Sequence, residues 1–477
     1  MIRTEKFTIV VLTAVLTAAF SIYGVWQDKM TFLSLLIPLL YAALAVWAVA
    51  AYRGRGVSKY RSKQAPTSHI PHPTSHSIPP GGGMLLLFWL YSAAMIPFSV
   101  IPYEAKISVL RLGCYVGTFF AVANILSRFP ARKAAWTVLF AALLAVALYS
   151  LVQHHIAPER ILWAERYYSN YWSGGRLGGT YLCPNHIAHL FQMWIPFCLV
   201  FLFVPQFGWF WRICFGYALP VFSLLIYQTQ SRAGLLGMIA SAGMLFLLLM
   251  LRKSRKAFVI ALIAAPLLMA VGIGGLWAGS AIFRERMQPV VQFAGHVFSG
   301  AIIDEEFIDF RPQTWVDSLG MVKDRPLTGV GPGNYGLTFP EYRHRVFSNR
   351  METVHPHSEP IELITEYGLV GTGLFLGALI AFCVPLVRLL KTSSRPYHAL
   401  PAAALLAALA GTFVHGLFDF ELRIFPNALM LAVLAGCAVA PLLAQKTEAG
   451  RQRTEDGRRR SEDRGQRTEN KGGQGGE

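Results

Sequence analysis

The amino-acid sequence predicts an all-α polytopic membrane protein with about twelve transmembrane helices and one large extracytoplasmic loop between the ninth and tenth spans. Three observations predict it. The 477 residues are 54% hydrophobic and only 14% charged, with a mean hydropathy of +0.43, whereas soluble domains carry about 25% charged residues. About twelve stretches approach the roughly 20 apolar residues that a helix needs to cross a hydrocarbon core. On that count, every cluster of Lys and Arg in the connecting segments falls on one side.

The expected spans are, in order, residues 7–26, 31–51, 84–101, 107–125, 134–152, 187–204, 209–227, 233–251, 257–278, 368–390, 400–416 and 424–444. The first follows Arg3 and Lys6 and resembles a signal peptide, but its length favours an uncleaved anchor. The chain divides into two helices at 1–53, a linker at 54–83, spans three to nine at 84–278 with a polar loop at 153–186, the large loop at 279–367, three spans at 368–444 and a tail at 445–477.

Orientation follows from short-loop Lys and Arg. Arg3 and Lys6, the Arg53 to Lys63 cluster, Arg128, Arg132 and Lys133, the Arg252 to Lys256 cluster, Arg388, Lys391, Arg395 and the tail share one face, which is cytoplasmic. Both termini are expected there and the large loop outside. The net charge of +17 then reads as membrane orientation rather than nucleic-acid binding, so membrane lipids are the expected partner of the basic segments. The linker, with His69, His72 and His76, and the Arg-rich tail read as disordered. Of six cysteines only Cys183 falls outside the spans, which argues against a disulfide framework or a CxxC site.

The same count brings four polar segments to the outer face: 153–186, the turn 228–232, the loop 279–367, and 415–423. Arg232 lies in Gln228-Thr229-Gln230-Ser231-Arg232-Ala233-Gly234, at the boundary between two spans; it is either a snorkelling arginine or an anion ligand. Arg311 follows the acidic run 304–309, so a salt bridge competes with a role in binding. The Gly- and Pro-rich segment from Arg325 through Leu327 to Tyr335 forms tight turns that act as a structural element or as an anion-binding nest; it is not a P-loop, since GxxxxGK[ST] is absent. His355 and His357 invite a metal site with Glu352 or Glu359, but H-x-H is a weak pattern and HExxH is absent. A histidine at a loop-to-helix junction, with an ordinary pKa of about 6.5, is a natural proton acceptor.

These landmarks together resemble the O-antigen ligase and polymerase family of bacterial membrane glycosyltransferases. They are Gly178-Gly179-Thr180-Tyr181 with Pro184-Asn185-His186, Ser231-Arg232-Ala233-Gly234, Pro326-Leu327-Thr328-Gly329-Val330-Gly331-Pro332-Gly333-Asn334-Tyr335, His357-Ser358-Glu359 with Glu366-Tyr367-Gly368, and His415 to Asn427. The resemblance implies transfer of a glycan from a polyprenyl-diphosphate carrier to a lipid or glycan acceptor on the outer face of the bacterial cytoplasmic membrane. It implies catalytic roles for His357, Arg232 and Arg311, and substrate contacts from Asn185, Arg325, Tyr335, His355 and Glu359. Many relatives carry His-Asn where this chain has His357-Ser358. Arginine forks bind phosphate without a metal, so neither a metal nor another cofactor is expected. Ligation to a lipid core, polymerisation and protein O-glycosylation all use this machinery. Outside the enzyme class, a polysaccharide transporter and a membrane scaffold remain, although no inverted repeat supports transport.

Overall fold

The computed structural model describes residues 11, 14, 15, 37–44, 77–128, 132–162, 164, 165, 175–281, 283–285, 287, 288, 291, 311–344 and 353–445. Among them, α1 (Gly82–Ala94), α2 (Pro102–Arg128), α3 (Arg132–Ile156), α4 (Pro184–Phe201), α5 (Gly208–Gln228), α6 (Arg232–Lys253), α7 (Arg255–Gly279), α8 (Arg311–Asp324), α9 (Glu359–Thr392) and α10 (Pro396–Gly416) precede α11 (Phe425–Gln445). Strand pairing among the described residues is a two-residue antiparallel ladder, Arg160–Ile161 with Ala164–Glu165.

Helices α2, α3, α5, α6, α9, α10 and α11 are long and apolar enough to cross a membrane, and the chain is an integral membrane protein. They coincide with seven of the expected spans. The span at 7–26 lies mostly and that at 31–51 largely outside the described residues, as do the linker histidines His69, His72 and His76, the acidic run 304–309, Glu352 and the tail. The span expected at 84–101 is instead the 13-residue α1 followed by a 3-10 turn at Ile96–Phe98, where Pro97 cannot donate a helical hydrogen bond. At 187–204, α4 contains 18 residues, and His186, His189 and Gln192 make it less apolar than the spanning helices. Of α7, the stretch Ala270–Gly279 is apolar but short.

Small residues determine which helices meet. α10 packs against α4, α6 and α9 through buried Ala399, Ala402, Ala403, Ala404, Ala407 and Ala408. A Cβ added at Gly411 would overlap Ser241 Oγ and lie 2.5 Å from the Gly237 carbonyl oxygen of α6. In lipid, such close backbone approach is a main source of helix association. Around α4, aromatic rings fill the core: Trp136 of α3 lies 5.1 Å from Phe197, and Phe201 5.1 Å from Phe215 of α5. Trp209, Phe210, Ile213 and Tyr217 of α5 are exposed, as a lipid-facing surface requires.

At one end of the bundle, Arg252 donates to the carbonyls of Leu390 (2.5 Å) and Ser393 (2.9 Å), and Arg132 lies over the Tyr397 ring. The opposite end is organised by a break in α9 at Gly368, whose φ of 60° and ψ of −170° are not helical. The break exposes the amides of Leu369 and Val370, and these donate to the carbonyls of Pro326 (2.8 Å) and Leu327 (3.2 Å). The turn that follows is committed in the same way. Val330 N–H donates to Thr365, Gly331 N–H to Glu366, and Val100 N–H to Val330. The Gly- and Pro-rich motif therefore acts as the cap of a broken helix, and the amides an anion nest would need are already bonded.

Gly331 has a φ of 107°, and a Cβ there would overlap Ser99. Gly331→Ala is expected to destabilise the fold by about 1–3 kcal/mol, the usual cost of a forced backbone conformation. Thermal unfolding in detergent checks this, and an unchanged melting temperature would count against the packing described.

Candidate functional site

The turn before α6 shows why Ser-Arg-Ala-Gly has that order. Ser231 is the N-cap, its Oγ accepting from Gly234 N–H at 3.1 Å, and a Cβ on Gly234 would come within 2.8 Å of Ala188 Cβ on α4. Arg232 is thereby delivered, half-buried, to the first residue of α6. Beside it is a cleft lined by Ile226, Leu235, Phe283 and Met287, with Gln230 and Ser231 at its polar side.

The His-Pro-His segment is bent equally firmly. His357 adopts a φ of 52°, a left-handed conformation uncommon outside glycine, and the Pro356 carbonyl accepts from Trp315 Nε1 of α8 at 2.8 Å. His357 Nδ1 then lies 3.0 Å from Asp419 Oδ1, in the loop between α10 and α11. The other oxygen of Asp419 accepts from Asn185 Nδ2 at 2.6 Å, and Asn185 Oδ1 accepts from Arg176 Nη2 at 2.6 Å. Arg176 Nε completes the row on the Thr229 carbonyl at 2.8 Å, in the turn that carries Arg232.

This row has a direction. A guanidinium only donates, so the facing atom of Asn185 must be its oxygen, and its NH₂ must point at Asp419. Asp419 receives donors from both sides and from Phe420 N–H (3.0 Å), which places the ring proton of His357 on Nδ1. In the neutral ring Nε2 then carries the lone pair. Burial alone would raise the Asp419 carboxyl, but the hydrogen bond from His357 and the charges of His357, Arg311 and His186 hold it well below the usual range. Arg311, the first residue of α8 and half-buried, thus acts electrostatically on the same carboxylate as His357.

His355 is held differently. Its Nδ1 lies 2.8 Å from Glu362 Oε1, and its ring stacks on Phe420 at 4.2 Å and 24°. Phe420 also meets His357 edge-on at 4.8 Å and His186 at 5.1 Å. Glu359, Glu362 and Glu366 recur at helical spacing on one face of α9 and surround Arg423 at 3.9, 3.3 and 2.7 Å. Glu359 Oε1 also accepts from Leu422 N–H at 2.6 Å. Deeper still, Glu421 accepts from Asn427 Nδ2 (3.1 Å) and lies 3.2 Å from His415 Nε2, His415 Nδ1 meets Gln192, and His189 meets Thr412.

Of the residues singled out from the sequence, His357, His355, Asn185 and Glu359 are brought together around the Asp419 to Arg423 loop. Arg311 lies within electrostatic reach of it, and Arg232 is joined to it through Thr229 and Arg176. Tyr335 is buried, its hydroxyl 2.8 Å from Ser318 and its amide donating to Glu366 at 3.3 Å, so it packs α8 against α9. Arg325 is exposed and reaches the Phe98 carbonyl at 3.4 Å. His355 and His357 turn their Nδ1 atoms to different carboxylates rather than to one point. His186, Asp419 and Glu421 are the described groups whose ligand atoms converge, within 4.8 Å of one another, but both carboxylates are already engaged by protein donors.

Sequence reasoning gave no individual site role to Arg176, Glu362, Glu366, Phe420 or Arg423. The Glu359, Glu362, Glu366 spacing was a usable signal for a shared cation. His189, Gln192 and His415 inside apolar helices were another, since buried polar groups in lipid require partners. Residues 217–376 match the family model described as O-Antigen ligase. The match includes Arg232, Arg311, His355 and His357 and leaves Asn185 and Asp419 outside. No curated protein matches the chain.

Proposed function

We propose that this chain, carrying an O-antigen ligase domain over residues 217–376, transfers a glycan from a polyprenyl-diphosphate carrier to an acceptor hydroxyl on the outer face of a bacterial cytoplasmic membrane. The acceptor is a lipid core, a growing polysaccharide or a protein. The reading includes the twelve-span topology with both termini cytoplasmic, which sets residues 153–186, 228–232, 279–367 and 415–423 on the outer side. The observation that carries it is the His357–Asp419 pair, at 3.0 Å, joined by hydrogen bonds to the turn of Arg232.

Asp419 keeps the proton of neutral His357 on Nδ1 and leaves Nε2 to accept the acceptor's hydroxyl proton. As that proton leaves, the hydroxyl oxygen forms a bond to the anomeric carbon. The bond from this carbon to the diphosphate oxygen breaks from the opposite side, inverting the centre, and its electron pair departs with the lipid diphosphate. Arg232 and Arg311 neutralise the developing charge. The apolar cleft of Ile226, Leu235, Phe283 and Met287 beside Arg232 suits the first isoprene units of the carrier. No nucleotide is required because the donor is already activated, and the arginines supply the charge that a metal would otherwise supply.

The test is transfer of lipid-linked oligosaccharide by purified protein in detergent with candidate acceptors. His357→Ala is expected to lose about 10²- to 10⁴-fold, and Arg232→Ala and Arg311→Ala about 10²- to 10³-fold each. Undiminished transfer by all three variants would sink the mechanism. Loss of activity in EDTA would overturn its metal-independent form.

A further inference from the structure

His355 and His357 each place Nδ1 on a buried carboxylate and each touch the ring of Phe420, yet their surroundings differ in charge. Asp419 faces Asn185, Arg311 and His186 as well as His357. Glu362 belongs instead to a group of three α9 carboxylates that share one guanidinium, Arg423. Burial raises Glu359 to about 8 and also raises Glu366, whereas Arg423 and His355 outweigh burial at Glu362 and hold it below its usual range, so Glu362 is the buried charge that must be compensated. His355 is the other basic side chain bonded to it, with Glu362 1% exposed and His355 27% exposed. A proton on His355 balances Glu362 through a charge-assisted hydrogen bond, and the Phe420 face beneath the ring adds a favourable cation–π contact.

We propose that His355 is a second anion-binding residue of the site, an imidazolium that is held on Glu362 through Nδ1 and offers Nε2–H to a diphosphate group. The inference rests on the transfer reading above and deepens it. His357 works as the neutral base, while His355, two residues away and against the same phenyl ring, works as a cation. The imidazolium also lies between the buried carboxylates and the exposed side of the segment, so its removal does more than delete a donor. It leaves Glu362 facing the incoming diphosphate. The charged groups packed around His355 are Glu359, Glu362 and Glu366 from α9, Arg423 from the α10–α11 loop, and His357 from its own segment.

The test uses inorganic pyrophosphate as the probe and the full-length protein in detergent, with binding measured calorimetrically at pH 6. The variants are His355→Asn, whose amide can still donate to Glu362 without carrying charge, and Glu362→Gln, which removes the carboxylate that holds the proton on the ring. Each is compared with the native chain at the same pH, so the titration of the probe itself cancels. At pH 6 both variants are expected to bind pyrophosphate about ten- to a hundredfold more weakly than the native chain, as for loss of a hydrogen bond to a charged group. The double variant is expected to be no weaker than either single one. Equal affinities of native and His355→Asn protein, with unchanged melting temperatures, would overturn the proposal. The binding result is independent of turnover. If pyrophosphate binds as described while no glycan is transferred to any acceptor, the transfer reading fails and the anion site stands.

Discussion

Asp419→Asn is expected to lower the proposed glycan transfer by about 10²- to 10⁴-fold, the full range a positioned general base contributes, although the substitution replaces one oxygen by an amide nitrogen. The native row runs from Arg176 through Asn185 to Asp419, each residue donating to the next, and His357 donates to Asp419 from the other side. A carboxylate accepts from both directions. An amide presents one oxygen and one NH₂, so it must confront either Asn185 or His357 with a second donor. Asn185 cannot rotate to relieve the conflict, because its oxygen is required by a guanidinium that only donates. If the amide turns its NH₂ to His357, the lone pair of the imidazole moves to Nδ1 and the base faces away from the acceptor.

Because Asp419 acts through His357, the His357→Ala, Asp419→Asn double variant is expected to transfer no more slowly than the slower single variant. Effects of groups that work as one unit are strongly non-additive. Steady-state rates for the two single variants and the double variant provide the check. Losses that multiply would show that Asp419 has a separate role.

Arg423→Met is expected to destabilise the protein by about 3–5 kcal/mol, the cost of removing one partner from a buried ion cluster. Methionine matches the guanidinium stem in length and packing, so the loss reports charge rather than a cavity. Glu362 and Glu366 are each 1% exposed, and Arg423 contacts them at 3.3 and 2.7 Å. Denaturant unfolding in detergent measures the change. Adding Glu362→Gln and Glu366→Gln to Arg423→Met should recover much of the loss, since neutral amides no longer need the cation. A single-variant loss below about 0.5 kcal/mol, the range of ordinary surface substitutions, would mean that water reaches the carboxylates.

The Arg423 cluster also explains why two distant parts of the chain behave as one site. It joins the first turns of α9, which follow the His-Pro-His segment, to the α10–α11 loop, which carries Asp419. The geometry of His357 therefore depends on groups beyond its own hydrogen bond. Loosening the cluster should lower activity as well as stability.

The amino-acid sequence by itself determined the class of the protein and part of its site. Apolar runs long enough to span lipid can be read directly, because hydrocarbon leaves a backbone few alternatives to the helix. Seven helices of spanning length and apolarity follow those runs. Arg232, Arg311, His355 and His357 stood out because they fall in the polar segments expected on the outer face and in or near motifs that resemble the O-antigen ligase and polymerase family. Only the tertiary structure decided what these residues do to one another. His357 and Asp419 are 62 positions apart, and Asn185 and Asp419 are 234 apart; no local pattern encodes pairing at those separations. Arg423 likewise looked like an ordinary loop cation until folding put three carboxylates around it. The Gly- and Pro-rich motif was legible as a turn, but its role as the cap of a broken helix depended on the amides of Leu369 and Val370, some forty residues downstream. The hydrophobic effect is non-directional and leaves its mark in composition. Hydrogen bonds and ion pairs are directional and short-ranged, so the chemistry of this site exists only once the helices have packed.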